Sequence, residues 1–265
     1  MPHRPLARAL AALVAAFTAA LGAVLVPGTA HATAVNYVAL GDSYSSGVGA
    51  GPYDWSTCLR SQKSYAPLWA AAHGVTSFSF PACGGAVTAD VLNDQVNALS
   101  GATTLVTITI GGNDAGFADV ITSCRFGSTS SCTNAVNSAK AFATSTLPGR
   151  LDATYSAIRD RAPNARLIVL GYPRLFETTP CGWLAMSTYK RTILNEAADV
   201  LASVISARAN AAGATFADTR PYFAGHGVCA GDPWIHDVSG VIEAYHPDSD
   251  GYRYGYLPAL NAVTG

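Results

Sequence analysis

Short runs of β-branched and aromatic residues alternate along this chain with longer stretches of helical spacing. That alternation predicts an α/β fold: a three-layer α/β/α sandwich around a central, mostly parallel five-stranded sheet. A second observation concerns how the strands end. Three of them run into "GDSYS", "ACGGA" and "GGND", small polar and glycine-rich endings rather than ordinary turn pairs. In a parallel sheet such endings share one edge, and ligands bind in the crevice there.

The elements follow in order. "NYVAL" from Asn36 reads as a buried first strand, and "TSFSF" from Thr76 as a second. "TLVTITI" from Thr104 and "RLIVLGY" from Arg166 are the third and fourth, and "ATFAD" from Ala214 is a weaker fifth. Between them, "SYAPLWAAAHG" is a helix stopping at Gly74. "TADVLNDQVNALSG" is a helix with Thr88 as N-cap and Gly101 as stop. "LDATYSAIRDRAP" stops at Pro163. The longest helix, "YKRTILNEAADVLASVISARANAAG", presents Ile193, Leu194, Ala197, Val200, Leu201, Val204 and Ile205 on one face. The stretches Cys124 to Cys132 and Asp218 to His246 are polar and are expected to be irregular loops.

Residues 1–32 are set apart as a signal peptide. Arg4 and Arg8 precede an apolar run from Ala9 to Val26, and Ala30-His31-Ala32 offers small residues at a cleavage site. The run is short for a membrane span and contains Gly22. The expected product is a secreted, extracellular chain, residues 33–265, of a length that suits one catalytic domain and with no stable membrane anchor. It is expected to be a monomer. Charge is nearly balanced, 16 basic against 17 acidic residues; without Arg4 and Arg8 the basic count falls to 14. No basic cluster is present to grip phosphates, which argues against nucleic acid as a partner.

The six cysteines are Cys58, Cys83, Cys124, Cys132, Cys181 and Cys229. An even number in an exported chain predicts disulfides. No C-x-x-C pair or histidine cluster points to zinc, and no metal or cofactor is expected. Three bridges allow fifteen connectivities. The simplest pairs Cys58 with Cys83, Cys124 with Cys132 and Cys181 with Cys229, each stapling a loop.

The strand endings also supply the parts of acyl transfer: a nucleophile, a base and donors for an oxyanion. Ser43, at a strand-to-helix turn, is held and exposed; His246, in "EAYHPD", is a base arriving late in the chain. The Ser43 and Gly85 backbone N–H groups and the Asn113 amide are candidate donors. Asp42 is expected to hold the turn through its own hydrogen bonds, and Ser45 and Ser46 to cap the first helix. His236 reads as a loop histidine near the cleft; Trp234, Tyr222, Phe223, Tyr172 and Phe176 are aromatic loop residues.

With these four blocks in order, the chain resembles the SGNH (GDSL-type) hydrolases, close to their secreted bacterial lipase and esterase branch with three disulfides. The resemblance spans Tyr37 to Leu260 and rests on Gly41-Asp42-Ser43-Tyr44-Ser45, Ala82-Cys83-Gly84-Gly85-Ala86, Gly111-Gly112-Asn113-Asp114 and His246-Pro247. It implies Ser43 as nucleophile, His246 as base, and Ser43, Gly85 and Asn113 around the oxyanion. One departure stands out. Most of the superfamily has Asp three residues before the histidine, where this chain has Glu243. By analogy with the secreted branch, the backbone carbonyl of Ala244 or Glu243 orients the imidazole in place of a side chain. The implied activity is hydrolysis of carboxylic esters: acylglycerols, phospholipids or small synthetic esters. A carbohydrate esterase of the acetyl-xylan type would use the same residues with a different groove. A non-catalytic secreted binding protein would be expected to have lost one of the four reactive positions. No segment between the motifs reads as a detached lid.

Overall fold

The computed structural model describes residues 34–182, 185–238, 240 and 242–265. The expected signal peptide lies outside the described residues. Five strands, β1 (Asn36–Gly41), β2 (Ser77–Ser79), β3 (Leu105–Thr109), β4 (Arg166–Leu170) and β5 (Thr215–Ala217), form one sheet in the order β2-β1-β3-β4-β5. Every pairing is parallel, with Tyr37 opposite Phe78 and Leu105, Leu105 opposite Arg166, and Ile168 opposite Thr215. All five residues of β3 are buried, as are the last four of β4, as expected for strands covered on both faces.

The helices are α1 (Ser43–Ser46), α2 (Tyr65–His73), α3 (Thr88–Asn93), α4 (Phe117–Phe126), α5 (Thr129–Ser145), α6 (Leu147–Arg161), α7 (Thr188–Ala211) and α8 (Leu257–Thr264). Chain order explains the layers. The crossover from β1 to β2 runs toward one edge of the sheet; those from β2 to β5 run toward the other. Right-handed crossovers then put α2 on one face and α3, α6 and α7 on the opposite one. The terminal α8 packs with α2 and against β4 and β5, which completes a three-layer α/β/α sandwich. The direction reverses between β1 and β3, and the crevice beyond their carboxyl ends is the switch point where such folds bind ligands.

Four expectations are corrected. The stretch from Cys124 to Cys132 is not an irregular loop: it joins the end of α4 to the start of α5. Both cysteines are fully buried, so their bridge staples two helices within the core. Thr88 is the first residue of α3 and Val87 its N-cap; the Thr88 N–H and hydroxyl both donate to the Asp114 carboxylate. Ser45 and Ser46 do not cap α1, which is capped by the Asp42 side chain. Ser45 instead accepts the Thr109 N–H at 3.0 Å and shares a 2.8 Å hydrogen bond with the Tyr65 hydroxyl, tying α1 to β3 and α2. The disulfides join Cys58–Cys83, Cys124–Cys132 and Cys181–Cys229, the sequential order.

Candidate active site

Leu40 and Gly41 end β1, and the chain turns at Asp42 into α1 with Ser43 as its first residue. The turn is held from several sides. The Asp42 carboxylate accepts the Tyr44 N–H at 2.9 Å and its own N–H reaches Thr109 O of β3 at 3.0 Å. The buried Gln95 amide clasps both backbone groups of Gly41, at 2.7 and 2.9 Å. Ser43 is therefore fixed by the backbone with only its hydroxyl free to point into the crevice.

His246 meets it there. Its Nε2 lies 2.8 Å from Ser43 Oγ, and its Nδ1 lies 3.0 Å from the Ala244 carbonyl. The carbonyl can only accept, so Nδ1 carries the proton and Nε2 faces the serine as an acceptor. The Glu243 side chain is turned elsewhere. Its carboxylate accepts from the Tyr53 hydroxyl, which also accepts the Gly49 N–H at 2.9 Å. The Glu243 carbonyl takes the His246 N–H at 3.0 Å. Bringing the Ala244 carbonyl back to the ring requires a sharp bend, and Tyr245 supplies it with φ of +61°, a left-handed conformation costly for a bulky residue. Two hydrogen bonds hold the bend: Tyr245 N–H to His236 O at 2.9 Å, and Tyr44 hydroxyl to Tyr245 O at 2.6 Å. The Tyr44 ring also lies against the imidazole, centroids 5.0 Å apart.

Both Ser43 and His246 are nearly buried, at 8 % and 9 % exposure. Loss of hydration disfavours the imidazolium and pushes the His246 pKa down to about 4, against the smaller upward pull of the Ala244 and Glu243 carbonyls. His246 is thus neutral at pH 7 and able to accept a proton. Asp42 shows the opposite effect. Burial pushes its carboxyl up to about 7, although hydrogen bonds from Tyr172 and Tyr44 pull it down.

Gly85 and Asn113 line the same cleft as Ser43 and His246. Gly85 has φ of +80° with open space where a Cβ would stand, so backbone conformation, more than crowding, favours glycine. Asn113 gives one amide hydrogen to the Ala86 carbonyl at 2.9 Å, which orients the other and ties the donor to the strip that carries Gly85. Asp114 adds a second tie by accepting from Thr88 and pairing with Arg150 at 3.0 Å. Among the described residues no hydrogen bond uses the Ser43 or Gly85 N–H.

An apolar groove runs from Ser43 and Asn113 between α4, α5 and α7, lined by Val120, Ile121, Ala139, Ala143, Leu194 and Leu201. Phe126, Val238 and Ile242 stand exposed at the rim of the open cleft. The His236 side chain makes no hydrogen bond to this pair: its Nε2 lies 2.9 Å from the Gly49 carbonyl, on the supporting wall, while its backbone N–H donates to the His246 carbonyl at 2.9 Å. Of the aromatic loop residues, Tyr172 lines the groove, while Tyr222, Phe223 and Trp234 lie away from it and the Phe176 ring packs at a tilt against Tyr245, centroids 5.5 Å apart. Sequence reasoning did not single out Gln95, Tyr53 or the Tyr44–Tyr245 contact as parts of the site.

Comparison with known proteins gives a consistent picture. A family model described as the GDSL-like lipase/acylhydrolase family matches residues 39–254. The chain is 52 % identical over 260 residues to "Lipase 1" of Streptomyces coelicolor, covering 96 % of each. Among solved structures, it is similar to phospholipase A1 from Streptomyces albidoflavus NA297 (TM-score 0.84, 52 % identity, 86 % of this chain and 99 % of that one). It is also similar to an extracellular lipase of Streptomyces rimosus (TM-score 0.85, 49 % identity, 87 % of this chain and 100 % of that one).

Proposed function

This chain belongs to the GDSL-like lipase/acylhydrolase family and is a lipase or esterase, a carboxylic ester hydrolase, and we propose that it works through an acyl-enzyme on Ser43. His246 Nε2 takes the hydroxyl proton as Oγ attacks the ester carbonyl. The resulting oxyanion is received by the Ser43 and Gly85 N–H groups and the free Asn113 amide hydrogen. His246 then gives its proton to the leaving alcohol, and the same cycle with water releases the acid. The Ala244 carbonyl holds the imidazole tautomer throughout. The observation that carries this reading is the 2.8 Å approach of His246 Nε2 to Ser43 Oγ at the mouth of an apolar groove.

The groove also favours a substrate class. Away from the Asp42, Ser43 and Asn113 end, its walls offer mostly alkyl and alanine side chains, joined by the rings of Tyr44, Phe117 and Tyr172 and by Lys140. Such a channel takes a fatty acyl chain, and the relatives named lipase and phospholipase A1 suggest acylglycerols and phospholipids as its sources. Acetylated polysaccharide would leave the groove empty. The three disulfides, and the similarity to an extracellular lipase, support a secreted protein whose first 32 residues are its signal peptide and whose remainder is one catalytic domain. Among the described residues no helix is long and apolar enough to cross a membrane.

A chain-length series of chromogenic esters, run beside acetylated xylan, tests the reading. Medium to long acyl esters should be turned over with higher kcat/KM than acetyl esters, and Ser43→Ala should abolish both. Preference for acetylated xylan would reject the acyl-groove reading, and ordinary turnover by Ser43→Ala would reject the nucleophile.

A further inference from the structure

Tyr172 stands two residues beyond the end of β4, on the far side of β3 from β1. Its ring nevertheless reaches across the end of β3. Gly112 permits the approach, since a Cβ there would lie 3.0 Å from Tyr172 Cζ. The phenol oxygen makes two buried hydrogen bonds. It donates to the Asp42 carboxylate, and it accepts the Gly112 N–H at 2.9 Å. Asp42 immediately precedes Ser43, and Gly112 immediately precedes Asn113. One oxygen atom from a third strand thus holds the residue before the nucleophile and the residue before the oxyanion donor.

We propose that Tyr172 and Asp42 form a buried clamp that sets the distance between the Ser43 turn and the Asn113 loop, and so act as positioning residues for ester hydrolysis. This rests on the roles proposed above for Ser43 and Asn113. The other carboxylate oxygen of Asp42 already accepts the Tyr44 N–H within its own turn, so Tyr172 is the group that carries the tie outward to another strand. Asp42 is 1 % exposed and Tyr172 7 %, so water is poorly placed to substitute for either partner. A buried acid is an expensive way to brace a turn; hydrogen bonds converging on it offset that expense only where their geometry is kept. The clamp acts on orientation. A misplacement of about 1 Å in a reacting group can lower turnover by roughly a hundredfold.

Tyr172→Phe tests this, because it deletes the hydroxyl and keeps the ring that walls the groove. Turnover of a chromogenic ester should fall about a hundredfold, with KM changed less than about threefold. The coupling to the donor loop is read in an Asn113→Ala background. There the loss from Tyr172→Phe should shrink, so that the double variant retains at least about threefold more kcat than the product of the single losses predicts. Thermal unfolding is followed in parallel. Tyr172→Phe with ordinary kcat, or losses that multiply fully with those of Asn113→Ala, would overturn the clamp. If Tyr172→Phe does not fold, Asp42→Asn takes its place in the same cycle. It keeps an oxygen for the Tyr44 N–H but turns an NH₂ group toward the phenol, and the same outcomes decide. An inactive Ser43→Ala enzyme beside an unimpaired Tyr172→Phe enzyme rejects the clamp alone; an active Ser43→Ala enzyme rejects the site reading beneath it.

Discussion

Glu243→Gln asks what orients the base. If the Ala244 carbonyl does so, the carboxylate charge of Glu243 is not part of the machinery. The structure gives the size of the expected effect. The Glu243 carboxylate contacts the Tyr53 hydroxyl, not the imidazole, and a glutamine carbonyl can accept the same hydrogen bond. The His246 N–H to Glu243 O and His246 Nδ1 to Ala244 O contacts use backbone atoms that the substitution leaves in place. What is lost is a charge that contacts Tyr53 and influences the imidazole less than burial and the two carbonyls do. A fall in kcat/KM of less than about tenfold is expected, or about 1.4 kcal/mol of barrier.

The alternative is far away on the same scale. Where an acid side chain does hold the catalytic histidine, changing it to the amide lowers kcat about ten-thousandfold in a serine protease. Steady-state kinetics of the purified variant on a soluble ester separates the two outcomes, with circular dichroism to confirm folding. A thousandfold loss in a folded variant would refute the carbonyl assignment. The pH profile is an independent check. With His246 pushed down to about 4 by burial, the acid limb of kcat/KM should lie well below pH 6.5 in both wild type and variant. An acid limb at or above pH 7 would show an imidazolium supported by an anion and would contradict the geometry.

Three further outcomes are expected. Asn113→Ala should lower kcat by about two to three orders of magnitude while KM changes little, because its donor matters most as charge develops on the oxyanion; a change confined to KM would reassign Asn113 to substrate positioning. Replacing Cys181 and Cys229 by alanine should lower the melting temperature more than replacing Cys124 and Cys132, since loops closed over 48 and 8 residues correspond to about 4 and 2.5 kcal/mol in the chain-entropy model. The second pair should instead raise KM for long acyl esters, because its bridge holds together two helices that line the groove. Acidification from pH 7 to 4 should have two opposed effects on stability. His246, whose folded pKa is depressed, loses its contribution as pH falls below 6.5; Asp42, whose folded pKa is raised, gains one as it becomes protonated below about 7. Asp42→Asn should therefore unmask a stability loss on acidification, measured by urea unfolding at each pH, that wild type partly cancels.

The parts legible in the sequence are those whose physics is local. Short β-branched runs reveal buried strands, and Gly41-Asp42-Ser43 or Gly111-Gly112-Asn113 reveal where the chain must turn sharply at a strand end. The helices α4 and α5 were not legible for an equally local reason. "TSSCTNAVNSAKAFATS" buries only Cys132, Val136 and Ala143, so its apolar stripe is too narrow to stand out from its serines and threonines. Their helicity depends on the packing of α4 on α5 and of α5 on α7, and on a disulfide between the first two, all of which only the fold explains. Nor does a backbone carbonyl leave any sign in a sequence. Glu243 could be seen as a departure, but the contact of Ala244 with His246 depends on the bend at Tyr245, and that bend is held by Tyr44, some 201 residues earlier. Tyr172 is of the same kind: a lone tyrosine beyond a strand, given its role by what folds beneath it.

These long-range contacts bear on how the reaction is driven. In the proposed mechanism a histidine held by a carbonyl in a dry site is a weak base, and its pKa of about 4 makes proton transfer from Ser43 harder than a carboxylate-supported imidazole would. The charge formed in the transition state must then be stabilised mainly at the oxyanion, where fixed donors in a low-dielectric site are most effective. That places the demand on the relative positions of Ser43, Gly85 and Asn113. Asn113 is bound to Ala86, Asp114 to Thr88 and Arg150, and Asp42 through Tyr172 to Gly112, so each strip carrying a donor is fastened to another. In this arrangement the substitution of a bracing residue should act on kcat more than on KM, and should do so more severely than loss of the Glu243 charge. An enzyme in which Glu243→Gln lowers kcat more than Tyr172→Phe would reverse that order and return the burden of catalysis to the base.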